Sequence, residues 1–106
     1  MFIKKHERLL IWRRRKKWSP QQAAKFFGVG HRRYRRWEHG DEKITHEVPE
    51  LSANLTPGER YLVRRRRLGL TQEEIGHFAG VTRSRVSQVE RTERINDRLE
   101  QIYAES

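Results

Sequence analysis

The sequence predicts an all-α fold made of two small, similar units in tandem, and two observations lead to this prediction. The first is an internal repeat, because a shift of the chain by 52 positions aligns residues 18–29 with residues 70–81 without a gap. The second is that each copy holds the signals for two short helices separated by a glycine turn. We therefore expect a first helix-turn-helix unit at residues 1–40, an acidic connector at 41–57 and a second unit at 58–106. Identical residues in register include Phe26 and Phe78, Gly28 and Gly80, Val29 and Val81, Arg33 and Arg85, and Glu38 and Glu90.

In the second unit, Thr71 followed by Glu74 forms a capping-box pattern, which predicts a helix running to about residue 79. Gly80 ends this helix, because glycine reaches positive φ without a side-chain clash. Thr82 then caps a second helix that runs to residue 90. The residues predicted to pack between the two helices are Ile75, Gly76, Ala79, Val81, Val86 and Val89.

The first unit repeats this pattern, with Ser19 as the cap, Pro20 at the first helical position and Gly28 at the turn. Gly30 stands where a capping serine or threonine is usual, so this copy lacks one helix-start signal. Within each unit an apolar, arginine-rich helix precedes the two helices of this pattern, at about 3–16 and 58–67, and an amphipathic helix ends the chain. The inward-facing residues are Ala23, Ala24, Phe27, Val29, Tyr34 and Trp37 in the first unit, and Ile95, Leu99 and Ile102 in the last helix.

Residues 69–91, GLTQEEIGHFAGVTRSRVSQVER, resemble the helix-turn-helix of Cro/cI-type (XRE-type) regulators, and residues 18–40 resemble the same family. The resemblance implies a tandem DNA-binding regulator of the kind found on phages and mobile elements. It also implies two interhelical ion pairs, Arg13 with Glu38 and Arg65 with Glu90. The same second segment is similar to the fourth region of sigma factors, and residues 69–90 alone do not separate the two families.

Charge and composition narrow the classes of function. The formal net charge is +10, and residues 1–40 hold 13 basic and two acidic side chains, whereas residues 41–58 hold one and four. A basic surface of this kind predicts an anionic partner, for which nucleic acid is a better candidate than an anionic membrane surface. The chain has no cysteine, and its five histidines lack metal-ligand spacing, so we expect neither a metal nor another cofactor.

The start of the chain contains an apolar run of only four residues, Leu9 to Trp12, which is too short for a membrane span or a signal-peptide core. We therefore expect a cytoplasmic, nucleoid-associated protein. The sequence also shows no nucleophile-base-acid arrangement and no phosphate-cradling glycine loop, so we do not expect an enzyme.

The side chains expected to contact double-stranded DNA lie on and beside the second helix of each helix-turn-helix pair, which follows the glycine turn. Such a helix fits the major groove. Arginine suits guanine and glutamine suits adenine, which favours base reading by the second unit; the face of the first unit is richer in charge and should add more affinity than discrimination. The predicted base-reading residues are Arg83, Ser84, Ser87 and Gln88 in the second unit and His31, Arg32, Arg35 and Arg36 in the first. The predicted phosphate contacts are Ser19, Thr71, Gln72, Arg33, Arg85 and Arg91.

Three alternatives remain open at the level of sequence. The chain is either a DNA-binding repressor or autoregulator, an antitoxin-like or sigma-like factor that binds a protein partner as well as DNA, or an RNA-binding protein. Two chains could pair through the last helix, with Ile95, Leu99, Ile102 and Tyr103 at the interface. Phe26 and Phe78 either cover the edge of their own unit or form an interface.

Overall fold

The computed structural model describes residues 1–105, which contain seven α-helices and no β-strand. They divide into two compact units, Met1–Ala53 and a second one from Asn54 onward. The all-α prediction is therefore confirmed. The helices are α1 (Lys5–Arg15), α2 (Pro20–Phe27) and α3 (His31–His39) in the first unit, and α4 (Pro57–Arg67), α5 (Gln72–Ala79), α6 (Arg83–Glu90) and α7 (Asp97–Ala104) in the second.

Reciprocal hydrogen bonds fix the starts of the helices that the sequence predicts. The Thr71 hydroxyl accepts a bond from the Glu74 N–H at 3.1 Å, and the Glu74 carboxylate accepts one from the Thr71 N–H at 2.9 Å. Ser19 and Gln22 repeat the arrangement at the start of α2, with distances of 3.2 and 2.7 Å. Because two orphan donors are satisfied at each start, the capping signals locate both helices correctly.

Two glycines allow α5 and α6 to meet as a tight pair. Gly80 follows α5 with φ of 72°, a left-handed conformation that favours glycine. A Cβ atom at Gly76 would lie 2.7 Å from the carbonyl oxygen of Val81, so only glycine fits where the turn passes over α5. The close packing predicted at this crossing is present.

The core of the first unit joins its three helices to a segment that has no helix of its own. Ile44 and Val48 are buried, and they pack in the same cluster as Tyr34 and Trp37. The predicted connector at 41–57 is therefore corrected: residues 41–53 belong to the first compact unit, because Ile44 and Val48, with the partly buried Leu51, complete its core. The whole cluster comprises Leu9, Trp12, Ala23, Ala24, Tyr34, Trp37, Ile44 and Val48.

In the second unit a fourth helix, α7, closes the core. Leu99 and Tyr103 of α7 are buried in one cluster with Tyr61, Ile75 and Val86. Ile102 packs against the same cluster, so three of the four side chains expected at a dimer interface contact their own unit; pairing of two chains stays a prediction. Ile95 precedes α7 and is exposed.

In both units the first helix lies close to the end of the third helix, and a glycine makes room for this contact. The glycine is on the first helix in the second unit and after the third helix in the first unit, at positions that the 52-residue shift places in register. In the second unit Gly58 lies so close to the end of α6 that a Cβ atom would be 2.5 Å from the Val89 carbonyl oxygen and 2.6 Å from that of Thr92. In the first unit the large residue is His6, and the glycine is Gly40, where a Cβ atom would be 3.2 Å from the His6 ring. Each unit therefore has one small residue at this contact between its first and third helices.

Candidate nucleic-acid interface

Helix α6 presents one polar face and buries the other. Val86 and Val89 are buried in the core of the second unit, whereas Arg83, Ser84 and Gln88 are exposed. Ser87, the fourth residue predicted to contact bases, is half-buried. The Thr82 hydroxyl accepts the N–H of Arg85 at 3.1 Å and so fixes the start of the helix. The exposed residues thus begin at a defined helix N-terminus, the end that enters the major groove in helix-turn-helix proteins.

A buried ion pair holds α6 against α4. Arg65 donates from Nε to Glu90 Oε2 at 2.6 Å and from Nη2 to Glu90 Oε1 at 3.1 Å. The Glu90 side chain is 0% exposed and that of Arg65 is 12% exposed. A further Arg65 bond to the Leu70 carbonyl oxygen, at 3.0 Å, ties the end of α4 to the start of α5. Three helices are therefore positioned by one guanidinium group.

Gln72 is a third partner of this pair. Its side-chain nitrogen donates to Glu90 Oε1 at 3.0 Å, and the residue is half-buried. The sequence predicts a phosphate contact for Gln72, but its side-chain amide is engaged inside the unit. Its structural contribution is to satisfy a buried carboxylate, and the sequence gives no signal for that bond.

The first unit contains the same ion pair in the same geometry. Arg13 donates to Glu38 at 2.6 and 3.1 Å and to the Trp18 carbonyl oxygen at 2.9 Å. The third partner differs, because here the Tyr34 hydroxyl donates to Glu38 Oε2 at 2.6 Å. Burial raises the pKa of Tyr34 far above its usual range, and the Glu38 carboxylate raises it further, so Tyr34 stays a neutral donor.

The exposed face of α3 is more basic than that of α6. Arg32 and Arg35 are exposed, while His31 is half-buried at the helix start. Arg33 and Arg36 are also on the surface, but each forms an ion pair with Glu42, at 3.1 and 3.3 Å. Glu42 is not among the residues predicted from the sequence, although an acidic residue directly after an arginine-rich helix is a signal for such a pair.

The remaining predicted phosphate contacts surround the two helix pairs. Ser19 and Thr71 are exposed at the starts of α2 and α5, where their hydroxyl oxygens cap the helices. Arg91 is exposed directly after α6. Arg85 donates from Nη1 to the side-chain oxygen of Gln88 at 3.1 Å, which links a predicted phosphate contact to a predicted base contact. Contact of these residues with phosphate stays a prediction.

The two exposed phenylalanines have different surroundings. Phe26 lies 5.3 Å from the Trp12 ring and 5.5 Å from the Trp18 ring, centroid to centroid, so it covers the aromatic edge of its own unit. Phe78 is 64% exposed and has a ring contact with His77.

No helix within residues 1–105 is long and apolar enough to cross a membrane. The same part of the chain contains no cluster of three or more histidine, cysteine, aspartate or glutamate side chains placed to hold a metal ion.

Residues 53–92 match the family described as Sigma-70, region 4. This region is a DNA-binding helix-turn-helix, and the match spans the three helices joined by Arg65 and Glu90. Of the two resemblances seen in the sequence, the match supports that to sigma factors; the tandem Cro/cI-type interpretation stays a prediction. Comparison with curated proteins and with solved structures finds no match.

Proposed function

We propose that this protein is a sequence-specific regulator of transcription that binds double-stranded DNA through α6, with α3 as a second contact. The observation that carries the proposal is the exposed polar face of α6, held by a buried ion pair within a segment that matches a DNA-binding region. A rigidly held helix can present its side chains to base edges at low entropic cost.

The chemistry of α6 favours discrimination among bases. Arg83 can pair with the two acceptors of guanine, and Gln88 with the donor and acceptor of adenine. Ser84, beside Arg83 at the helix start, can donate a hydrogen bond to a base or to a phosphate of the DNA backbone. Gln88 accepts a bond from Arg85, which leaves its amide N–H groups available for an adenine acceptor.

The first unit supports binding by a second, more basic contact. Once either unit is bound, the other unit is tethered near the same DNA and experiences a high effective concentration of it. Modest individual contacts can therefore give a tight complex. Regulation in this proposal is repression or autoregulation on a mobile element, carried out at the nucleoid, with no enzymatic step assigned to the chain.

A second candidate function follows from the match itself. Since residues 53–92 match the Sigma-70 region, the chain could act as a sigma-like factor that binds a protein partner as well as DNA. Co-purification with RNA polymerase under conditions where a DNA-free regulator is not retained would favour this candidate.

The proposal is tested by selecting bound duplexes from a random pool and comparing the selected duplex with a random one. Arg83→Ala and Gln88→Ala should each weaken the selected duplex by about 1–3 kcal/mol and the random duplex by less. Arg67→Ala removes the same charge as Arg83→Ala from an exposed position on α4 and should weaken both duplexes equally. Equal losses on both duplexes for Arg83→Ala, or stronger competition by duplex RNA than by duplex DNA, would contradict the proposal.

A further inference from the structure

Glu42 bridges two arginines on the exposed face of α3. Its Oε2 lies 3.1 Å from Arg33 Nε, and its Oε1 lies 3.3 Å from Arg36 Nε. The contact with Arg36 is at the same time a hydrogen bond, which Nε donates to Glu42 Oε1. Each carboxylate oxygen thus takes one guanidinium group, and both arginine side chains remain at least half exposed, at 58% and 50%.

The second unit has a different arrangement at the same positions. The 52-residue shift that aligns the repeats places Glu42 at Arg94 and Arg36 at Gln88, while Arg33 corresponds to Arg85. In the second unit Arg85 bonds to the Gln88 side-chain oxygen instead of to a carboxylate. In both units the partner holds an arginine of the recognition helix, but only the first unit uses a negative charge to do so.

A carboxylate at Nε has two consequences for an arginine. It limits the rotation of a long side chain and leaves the Nη donors as the free end, which suits bidentate pairing with guanine. It also cancels charge, which lowers the electrostatic attraction that any phosphate backbone exerts. Both effects favour the selected duplex over a random one. The first unit should therefore discriminate between duplexes more than its basic sequence suggests.

We propose that Glu42 is a positioning residue that makes DNA binding by the first unit selective, by holding Arg36 for base contact and Arg33 beside it. This inference rests on the proposed DNA-binding function. It concerns selectivity rather than folding, because ion pairs this exposed contribute little to stability.

The experiment measures the affinity of the full chain for the selected and random duplexes over a series of salt concentrations. Glu42→Gln should bind the random duplex more tightly, with a salt dependence steeper by about one phosphate contact, and should lose selectivity by at least about fivefold, the lower end of one arginine–guanine contact. Glu47→Gln is the matched control: it makes the same change in charge at an exposed position five residues further along the same segment. It should retain selectivity.

A double-mutant cycle shows whether Glu42 acts through Arg36. Arg36→Lys keeps the charge but lacks Nε, so it should lose selectivity as Glu42→Gln does, and the double variant should lose little more. Melting curves check that every variant folds. A selective wild type whose selectivity is unchanged in Glu42→Gln, or changes equally in Glu47→Gln, overturns this inference alone. A wild type that binds both duplexes equally overturns the proposed function and this inference with it.

Discussion

Replacing Glu90 by alanine should destabilise the second unit severely. The substitution removes the acceptor of two bonds from Arg65 and one from Gln72, and it leaves the Arg65 guanidinium with the Leu70 carbonyl in a site where it is 12% exposed. Breaking a buried pair by removing one partner costs about 3–5 kcal/mol. A unit of roughly 50 residues has about 3–8 kcal/mol of stability in total. We therefore expect the second unit of Glu90→Ala to be largely unfolded or to melt more than about 10 °C lower.

The assay is thermal unfolding followed by circular dichroism at fixed salt, with Glu93→Ala as the control. Glu93 is exposed just after α6, and its removal should change the melting temperature by no more than a few degrees. Glu38→Ala should damage the first unit in the same way, so two transitions can be assigned. If Glu90→Ala and Glu93→Ala melt together, the ion pair does not contribute to the stability of this fold and the reasoning is refuted.

Three further substitutions test the packing, the buried hydroxyl and the helix cap. Gly58→Ala places a Cβ atom 2.5 Å from a backbone carbonyl oxygen and should cost about 1–3 kcal/mol in urea unfolding. Gly30→Ala meets no atom within 4 Å and should cost only about 0.5–1 kcal/mol, from the poorer N-cap of α3; a larger cost at Gly30 than at Gly58 would contradict the packing argument. Tyr34→Phe loses a 2.6 Å bond to a buried carboxylate and should cost about 1.5–3 kcal/mol, so a loss below about 0.5 kcal/mol would show that Glu38 finds another donor. Hydrogen bonds from Thr71 lower the pKa of Glu74 below its ordinary 4.5, so its stabilisation is complete above that pH and is lost as the pH falls through the lowered value. Between about pH 6 and about pH 3 the melting temperature of Glu74→Gln should therefore fall less than that of the wild type. An equal fall in both proteins would exclude this contribution.

The helices with short-range signals could be predicted from the sequence. Capping residues and glycines act within one turn of the chain, so Thr71, Gly80 and Thr82 locate α5 and α6 to within one residue of the structure. The 52-residue repeat then transfers the same assignment to α2 and α3, even though Gly30 provides no side-chain cap. The capping residues and turn glycines of the two copies were therefore sufficient to predict the fold class.

Features that depend on distant contacts could not be predicted in this way. Ile44, Val48 and Leu51 have the i, i+4, i+7 spacing of an amphipathic helix, but Pro49 interrupts it and no helix forms there, so only the packing of the first unit shows how these residues join its core. Leu99 and Tyr103 have the spacing of an amphipathic helix, which does not indicate whether the apolar side faces the same unit or a second chain. Glu42 was overlooked for a related reason, since its partners lie six and nine residues earlier and face it only when α3 ends at Gly40.

The repeated ion pairs and the exposed faces perform separable tasks. Arg13 with Glu38 and Arg65 with Glu90 have the same two distances, 2.6 and 3.1 Å, so each unit holds its recognition helix in the same way. The surfaces differ, because Arg36 and Glu42 in the first unit correspond to Gln88 and Arg94 in the second. Substitutions in the buried pairs should therefore alter melting before they alter base preference, and substitutions at the exposed positions should do the reverse. In the proposed function, this separation lets the same ion-pair arrangement support two different DNA contacts within a single chain.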